Sequence, residues 1–159
     1  MSNKRSKTIK RSPMVIRTPL LQNAEQMFGF EDRCKLHLKM ESMQNTGTFA
    51  NIPAELINNK KSLVSMSAGN YGKAFAFATK KQNLAATLCM PESAPISRAK
   101  LIESLGVQVE RMPTSMLKDA VDRHVAVDGM HFLHPFDDLH LIAGFARYSE
   151  VHAPKGVQK

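Results

Sequence analysis

The apolar positions divide the chain into two parts with different periods. Leu36, Leu38 and Met40 alternate with polar residues, which is the pattern of a half-buried strand. From residue 61 onward, short apolar runs are separated by longer amphipathic stretches. The runs predict four strands, at Ser62–Met66, Leu84–Met90, Val107–Arg111 and Met130–Leu133.

A helix is predicted after each of these strands. The first begins near Asn70, and the second lies between Pro95, which suits a first helical turn, and Gly106, which suits a helix exit. Thr114 or Ser115 is expected to cap the third, and residues 139–147 are predicted to form the fourth. The alternation predicts an α/β fold, an open, parallel, twisted sheet with flanking helices. Ligands of such sheets bind beyond the carboxyl ends of the strands.

The composition is that of a globular protein. The chain has 159 residues, 43% of them apolar and 23% charged, which suits one domain or one domain plus a fragment. No apolar run is long enough to cross a membrane, so no membrane partner is expected. Two cysteines are too few for a disulfide framework, which favours a reducing compartment. We predict a cytoplasmic protein, with a mitochondrial location as the alternative.

The net charge of +8 is concentrated at the amino terminus. Residues 1–12 hold five basic and no acidic side chains, which leaves 17 basic and 14 acidic side chains in the other 147 residues. Such a segment is typical of a solvated, disordered tail. A transit peptide is an alternative, although the segment has almost no apolar face. The rest of the chain is nearly balanced in charge, so nucleic acid is not the expected partner.

The loop after the first of the four strands holds the candidate binding groups. Its sequence is Ser67-Ala68-Gly69-Asn70-Tyr71-Gly72. Glycine lets the backbone approach a ligand closely, and a helix start presents N–H groups to an anion. The Ser67 hydroxyl and the Asn70 amide add polar groups, so the loop suits a carboxylate or phosphate. A tight turn with an asparagine cap is the alternative, since the spacing matches neither a Walker loop nor a dinucleotide fingerprint.

Short motifs between about residues 15 and 145 follow one another in a recognisable order. They are Arg17-Thr18-Pro19-Leu20, Lys39-Met40-Glu41, Asn45-Thr46-Gly47-Thr48-Phe49, the Ser67–Gly72 loop, Met90-Pro91, Ala99-Lys100, His134-Pro135-Phe136-Asp137-Asp138 and Ile142-Ala143-Gly144. Together they resemble the serine/threonine dehydratase and serine racemase family, pyridoxal-phosphate enzymes of fold type II. After the charged tail at 1–12, which is expected to be disordered, the resemblance implies part of a large domain at 13–59, a small α/β domain at 60–141, and a divergent helix and tail at 142–159.

The resemblance also implies a chemistry. Such enzymes hold pyridoxal phosphate as a Schiff base on a lysine and eliminate water from serine or threonine, which gives an oxo acid and ammonia. By analogy, Asn70 contacts the ring hydroxyl of the cofactor and Phe49 packs beside it. The substrate carboxylate is expected at Ser67, Ala68, Gly69, Asn70 and Tyr71. Racemases of the family often have a second serine where this chain has Ala68, which favours elimination over racemisation.

The chain departs from the family where the Schiff-base lysine is expected. After Thr48-Phe49 the family continues into that lysine, whereas this chain continues Ala50-Asn51-Ile52-Pro53. Either Ala50 replaces the lysine or a segment is deleted, and the short distance from Phe49 to Ser67 favours deletion. Lys60 and Lys61 lie at the entrance of the next strand, which is the wrong end to supply the anchor. No catalytic residue is therefore assigned.

The second departure lies at the carboxyl end, where the family continues with a glycine-rich loop for the cofactor phosphate. Residues 145–159 contain no such loop. Both departures predict a shortened, catalytically inactive form that binds pyridoxal phosphate weakly or not at all. The alternative is a non-catalytic interaction module that binds a full-length relative, as a homo- or hetero-oligomer, or an amino acid.

The remaining candidate groups have simpler interpretations. His131, His134 and His140 fit no zinc spacing, so no metal is predicted. Cys34 and Cys89 are expected to be small buried residues. Asp137 and Asp138 are interpreted as the cap of a helix start.

Overall fold

The computed structural model describes residues 16–47, 52–139 and 141–142. Its centre is a four-stranded sheet made of β3 at Ser62–Met66, β4 at Ala85–Pro91, β5 at Gln108–Met112 and β6 at His131–Phe132. The strands lie in the order β5–β4–β3–β6, and every neighbouring pair is parallel. The predicted α/β fold with an open parallel sheet is confirmed.

Three helices connect these strands. They are α3 at Asn70–Lys81, α4 at Ile96–Glu103 and α5 at Leu117–Val127, the last preceded by a 3₁₀ turn at Thr114–Met116. Helices α3 and α4 contact each other, whereas α5 packs on β3 and β4 from the other face. The sheet is therefore the middle layer of three, as expected for parallel strands joined by crossover helices.

Alternate residues of each central strand supply two separate cores. Leu63 of β3 and Leu88 of β4 belong to the larger cluster, which also contains Phe75 of α3. Val64 and Cys89, the next residue of each strand, belong to the smaller cluster under α5. Because side chains alternate across a strand, burial on both faces produces the continuous apolar runs of the sequence.

The segment before the sheet forms a small unit of its own. Strands β1, Leu20–Leu21, and β2, Leu38–Lys39, pair antiparallel, with α1, Glu25–Phe28, between them and a 3₁₀ turn at Glu41–Met43 after them. Glu25 is buried, and its carboxylate accepts the Leu36 N–H at 2.9 Å. This hydrogen bond lowers the pKa of Glu25, so the carboxylate helps to hold the segment together as an anion. A second short helix, α2, at Ala54–Ile57, leads into β3.

Most predicted elements begin and end within a few residues of the observed ones, but three details are wrong. The alternation at 36–40 corresponds to only two strand residues. Neither Thr114 nor Ser115 caps α5 through its side chain, because the chain enters the helix through a 3₁₀ turn after Pro113. Cys34 is exposed rather than buried, since it follows a surface turn.

The predicted fourth helix is described only at its start. The backbone is helical at residues 139, 141 and 142, and the Leu141 N–H binds the Asp138 carboxylate at 3.0 Å. Asp138 therefore caps this start as predicted, while the rest of the helix lies outside the described residues. The division of the chain into four segments stays a prediction. A search of the described helices finds none with the length and apolarity needed to span a membrane.

Candidate functional site

The Ser67–Gly72 loop lies where the connectivity of the sheet reverses. From β3 the chain proceeds outward to β4 and β5, then returns to place β6 on the other side of β3. The carboxyl ends of β3 and β6 therefore flank a switch point, the position at which open α/β sheets bind their ligands. The loop that the sequence singles out follows β3 at this point.

Ser67 is held in place by the turn that it caps. Its Oγ accepts the N–H groups of Gly69, at 3.0 Å, and Gly72, at 3.1 Å. A serine hydroxyl has two acceptor lone pairs and one donor proton. Both lone pairs are therefore occupied, and the O–H remains as a donor for an anionic ligand.

The backbone donors of the loop are of two kinds. The Gly69 N–H donates to Ser67 Oγ, and its expected contact with a substrate carboxylate stays a prediction. The N–H groups of Asn70 and Tyr71 lie in the first turn of α3, where no helical carbonyl can reach them. Together with the Ser67 hydroxyl they form the donor set, and the exposed Asn70 amide lies beside it.

Arg98 is a loop contact that the sequence analysis missed. It lies on α4, and its Nη1 donates to the Ala68 carbonyl oxygen at 2.7 Å. The same nitrogen lies 3.8 Å from the place of a Cβ on Gly69. The contact fixes the Ala68 peptide and brings a positive charge to the loop, which favours an anion there.

Tyr71 ties this loop to the end of β6. Its hydroxyl and the Ser65 Oγ both donate to the Leu133 carbonyl oxygen, at 3.3 and 2.7 Å. Tyr71 and Ser65 are both buried. Burial raises the pKa of Tyr71 well above its ordinary value near 10, and a weaker opposing effect comes from the Ser65 hydrogen bond. The Tyr71 side chain thus links α3 to the end of β6. Only the backbone N–H of Tyr71 is left to contact a ligand.

The raised pKa of Tyr71 predicts a loss of stability in alkali. Above about pH 10 the unfolded tyrosine loses its proton while the folded one keeps it, so the free energy of unfolding falls as pH rises. Tyr71→Phe should remove this part of the loss in urea unfolding curves at pH 9 to 11.5. The Cys89 thiol, whose pKa burial raises to about 11, should still contribute in the variant. Equal alkaline slopes in both proteins would contradict the assignment.

Gly72 is required because α3 packs closely against its neighbours. A Cβ at this position would lie 2.8 Å from Leu88 Cδ2 and 3.3 Å from Ile102 Cδ1, and both of these side chains are fully buried. The other glycine of the loop, Gly69, has no such neighbour, because its nearest atom is the Arg98 nitrogen at 3.8 Å. Gly72 is thus needed for core packing, whereas Gly69 lies in the turn, where a Cβ would meet no close neighbour.

We expect Gly72→Ala to destabilise the protein more than Gly69→Ala, which changes only the N-cap of α3. Overpacking costs about 1–3 kcal/mol, which outweighs the gain of about 1 kcal/mol in helix propensity. Chemical denaturation midpoints of the two variants provide the comparison. A Gly72→Ala midpoint equal to or above that of Gly69→Ala would show that the core beside α3 can accommodate a Cβ at position 72.

Lys73 is the second residue that the sequence analysis missed. It lies one turn after Asn70 on α3, so the two side chains share a helix face. Its Nζ lies 2.9 Å from the place of a Cβ on Gly47, at the end of the Asn45-Thr46-Gly47 motif. The sequence could have indicated this residue, because Asn70 and Lys73 are three positions apart in the predicted helix and therefore share one face of it. Phe49 and Ala50, the expected cofactor contact and the position without a lysine, lie outside the described residues.

Two of the three clustered histidines lie among the described residues, and one of them, His134, accepts hydrogen bonds within a local turn. His134 Nδ1 accepts the N–H groups of Phe136 and Asp137, at 3.1 and 2.8 Å. His131 is exposed, and His140 lies outside the described residues. Within the ranges that the structure describes, neither His131 nor His134 belongs to a group that could hold a metal ion.

Comparison with known proteins identifies relatives along most of the chain. Residues 11–151 match the family of pyridoxal-phosphate dependent enzymes. A putative threonine dehydratase of Sinorhizobium fredii is 32% identical over 142 residues, which are 82% of this chain and 41% of the relative. An L-threonine ammonia-lyase of Thermotoga maritima is 33% identical over 122 residues, 69% of this chain and 30% of the relative.

A solved structure agrees in fold as well as in sequence. The T.th. threonine deaminase superposes with a TM-score of 0.72 at 26% identity, over 89% of this chain and 49% of that one. The chain thus spans 41% and 30% of the length of these two curated relatives and about half of the solved one. The cofactor of this family is pyridoxal phosphate. With its parallel sheet, its asparagine loop at the switch point and these relatives, the chain belongs to the serine/threonine dehydratase family of pyridoxal-phosphate enzymes of fold type II.

Proposed function

We propose that the 159-residue chain is a catalytically inactive relative of the L-serine and L-threonine ammonia-lyases. The observation that carries the proposal is the sequence Thr48-Phe49-Ala50-Asn51, which has no lysine where the family resemblance requires one. The loop that would bind the substrate is nevertheless present at the switch point. The proposal is thus that carboxylate binding is kept while the covalent anchor of the cofactor is lost.

The donor set of the loop fits an amino-acid carboxylate. The Ser67 hydroxyl is free to donate because its lone pairs are taken by Gly69 and Gly72. The N–H groups of Asn70 and Tyr71 add two donors from the helix start, where partial positive charge favours an anion. In the proposal these three groups hold the carboxylate, and the Asn70 amide faces the ring hydroxyl of the cofactor.

The loop offers no base for the reaction. Pyridoxal phosphate, when bound, supplies an electron sink that acidifies the α-proton of the amino acid. A residue of the protein must still take that proton. The Ser67 oxygen cannot, because both lone pairs are engaged, and Ala68 has no functional side chain. Lys73 is the described amine beside the Gly47 motif, but it is not at the family's anchor position.

The proposal is tested by assaying the full chain with pyridoxal phosphate and L-threonine or L-serine. We expect no formation of 2-oxo acid above a blank of free cofactor, while a full-length threonine dehydratase in the same assay turns over. Binding is measured separately by calorimetry with L-threonine, in which Ser67→Ala should weaken binding and Ser104→Ala, a distant exposed serine, should not. Oxo-acid formation above the blank would overturn the proposal.

A second candidate is a non-catalytic interaction module, favoured by an exposed apolar group at the end of α1 and just after it. Met27, Phe28 and Phe30 are 71%, 53% and 41% exposed, and the two aromatic rings stack with centroids 6.2 Å apart. An exposed cluster of large apolar side chains is a common mark of a protein contact. Co-expression with a full-length relative should then give a mixed oligomer, which Phe28→Lys should weaken and Leu21→Lys should not.

A further inference from the structure

Three side chains that are far apart in the sequence meet under α5. Cys89 of β4 and Glu110 of β5 are partners in the parallel register, so their side chains lie next to each other on the same face of the sheet. His124 of α5 covers that face. Among the described residues, these three form the group whose ligand atoms all lie within 4.8 Å of one another. The loop at the switch point contributes nothing to this cluster.

The charges around His124 leave a place for a cation. Its Nδ1 lies 2.6 Å from Asp128 Oδ2, and its Nε2 lies 3.1 Å from Glu110 Oε1. When Nδ1–H donates to Asp128, Nε2 of the neutral ring is an acceptor that faces a second acceptor. Nε2 and the Glu110 oxygen can therefore both act as ligands of a cation that lies between them.

We propose that Cys89, Glu110 and His124 form a zinc site. Thiolate sulfur, imidazole nitrogen and carboxylate oxygen are the ligands that Zn²⁺ takes in proteins, usually four in a tetrahedron. Here the protein provides three, and water takes the fourth position. Zinc–ligand bonds of about 2.0–2.3 Å place tetrahedral ligand atoms about 3.3–3.8 Å apart. His124 Nε2 and Glu110 Oε1, at 3.1 Å, already lie near this spacing, and all three ligand atoms lie within 4.8 Å of one another. Binding replaces the thiol proton of Cys89, which leaves to solvent.

Two surrounding groups support this site. Asp128 orients the imidazole from its far nitrogen, as carboxylates do for zinc-bound histidines in general. Arg123 Nη2 lies 3.2 Å from Glu110 Oε2 and holds the carboxylate from its outer side. Cys89 is fully buried, whereas Glu110 is partly exposed, so an ion has a route from solvent. The site would join α5 to β4 and β5 and thereby stabilise the sheet.

The test is metal binding by the full chain, with Zn²⁺ for stoichiometry and Co²⁺ as a spectroscopic probe. We expect one Zn²⁺ per chain after dialysis, and a thiolate-to-cobalt charge-transfer band in the ultraviolet. Cys89→Ser should abolish the band, while Cys34→Ser, which changes the exposed cysteine, should retain it. Asp128→Asn, a change outside the three ligands, should weaken binding about 10–100-fold.

Three results would overturn the site. They are less than one tenth of an equivalent of retained zinc, a cobalt band that survives Cys89→Ser, or unchanged affinity in Asp128→Asn. Circular dichroism of the metal-free variants shows whether each is folded. If Cys89→Ser fails to fold, Asp128→Asn decides, since its partly exposed side chain is not part of the core.

Discussion

Replacement of Phe75 by alanine is expected to lower the free energy of unfolding by about 3–5 kcal/mol. Phe75 is fully buried in the larger core between α3 and the sheet, and its ring stacks on Tyr71 with centroids 6.4 Å apart. The change leaves a cavity and removes the aromatic contact with Tyr71 of the Ser67–Gly72 loop. Small domains have only about 5–15 kcal/mol of net stability. A large fraction of the Phe75→Ala molecules should therefore be unfolded in mild urea.

Phe136→Ala is the matched control for this change. Phe136 is 77% exposed, so its removal should change stability by no more than about 0.5 kcal/mol. Equilibrium unfolding in urea, followed by circular dichroism, compares the two variants. Equal midpoints for Phe75→Ala and Phe136→Ala would contradict the packing of α3 on the sheet.

The second large effect is expected at the junction of β3 and β6. The Leu133 carbonyl accepts from Ser65 at 2.7 Å and from Tyr71 at 3.3 Å. In Ser65→Ala the tyrosine still satisfies this carbonyl, but in the double variant with Tyr71→Phe both donors are gone. A buried acceptor without a partner costs about 1–3 kcal/mol, so the double variant should lose more stability than the two single variants together.

Ser104→Ala provides the control for the hydroxyl deletion. Ser104 makes a similar bond, to the Leu101 carbonyl at 2.7 Å, but in an exposed position. Water can replace its hydroxyl there, so its removal should have little effect. A double-mutant cycle measured by urea unfolding gives the coupling energy directly. Strict additivity of Ser65→Ala and Tyr71→Phe would show that the two hydroxyls do not share the carbonyl.

The sequence predicts the two central strands, β3 and β4, well because they are buried on both faces. The run at 62–66 is apolar enough to be recognised by itself, and the helix that follows begins at Asn70 as predicted. Helix α5 is less well predicted, because the 3₁₀ turn after Pro113 replaces the side-chain cap that Thr114 or Ser115 would provide. Local turn geometry of this kind depends on backbone angles that residue types only weakly determine.

The sequence predicts only those residues of the candidate site that lie close together along the chain. Ser67 and Asn70 lie in one loop, and the periodicity alone places that loop at the end of a strand. Arg98 reaches the loop from another helix, which no spacing rule reveals. The group of Cys89, Glu110 and His124 is likewise created by strand register and helix packing. Contacts of this kind depend on topology, so they emerge only when the chain is folded.

The most direct test of the proposed loss of the cofactor anchor is borohydride reduction after incubation of the full chain with pyridoxal phosphate. Mass spectrometry of the digested protein then locates any lysine that has become bonded to the cofactor. We predict scattered, substoichiometric labelling of surface lysines, equal in the wild type, in Lys73→Met and in the control Lys81→Met. One equivalent of label on a single lysine would contradict the account, most directly if it lies on Lys73 and disappears in Lys73→Met.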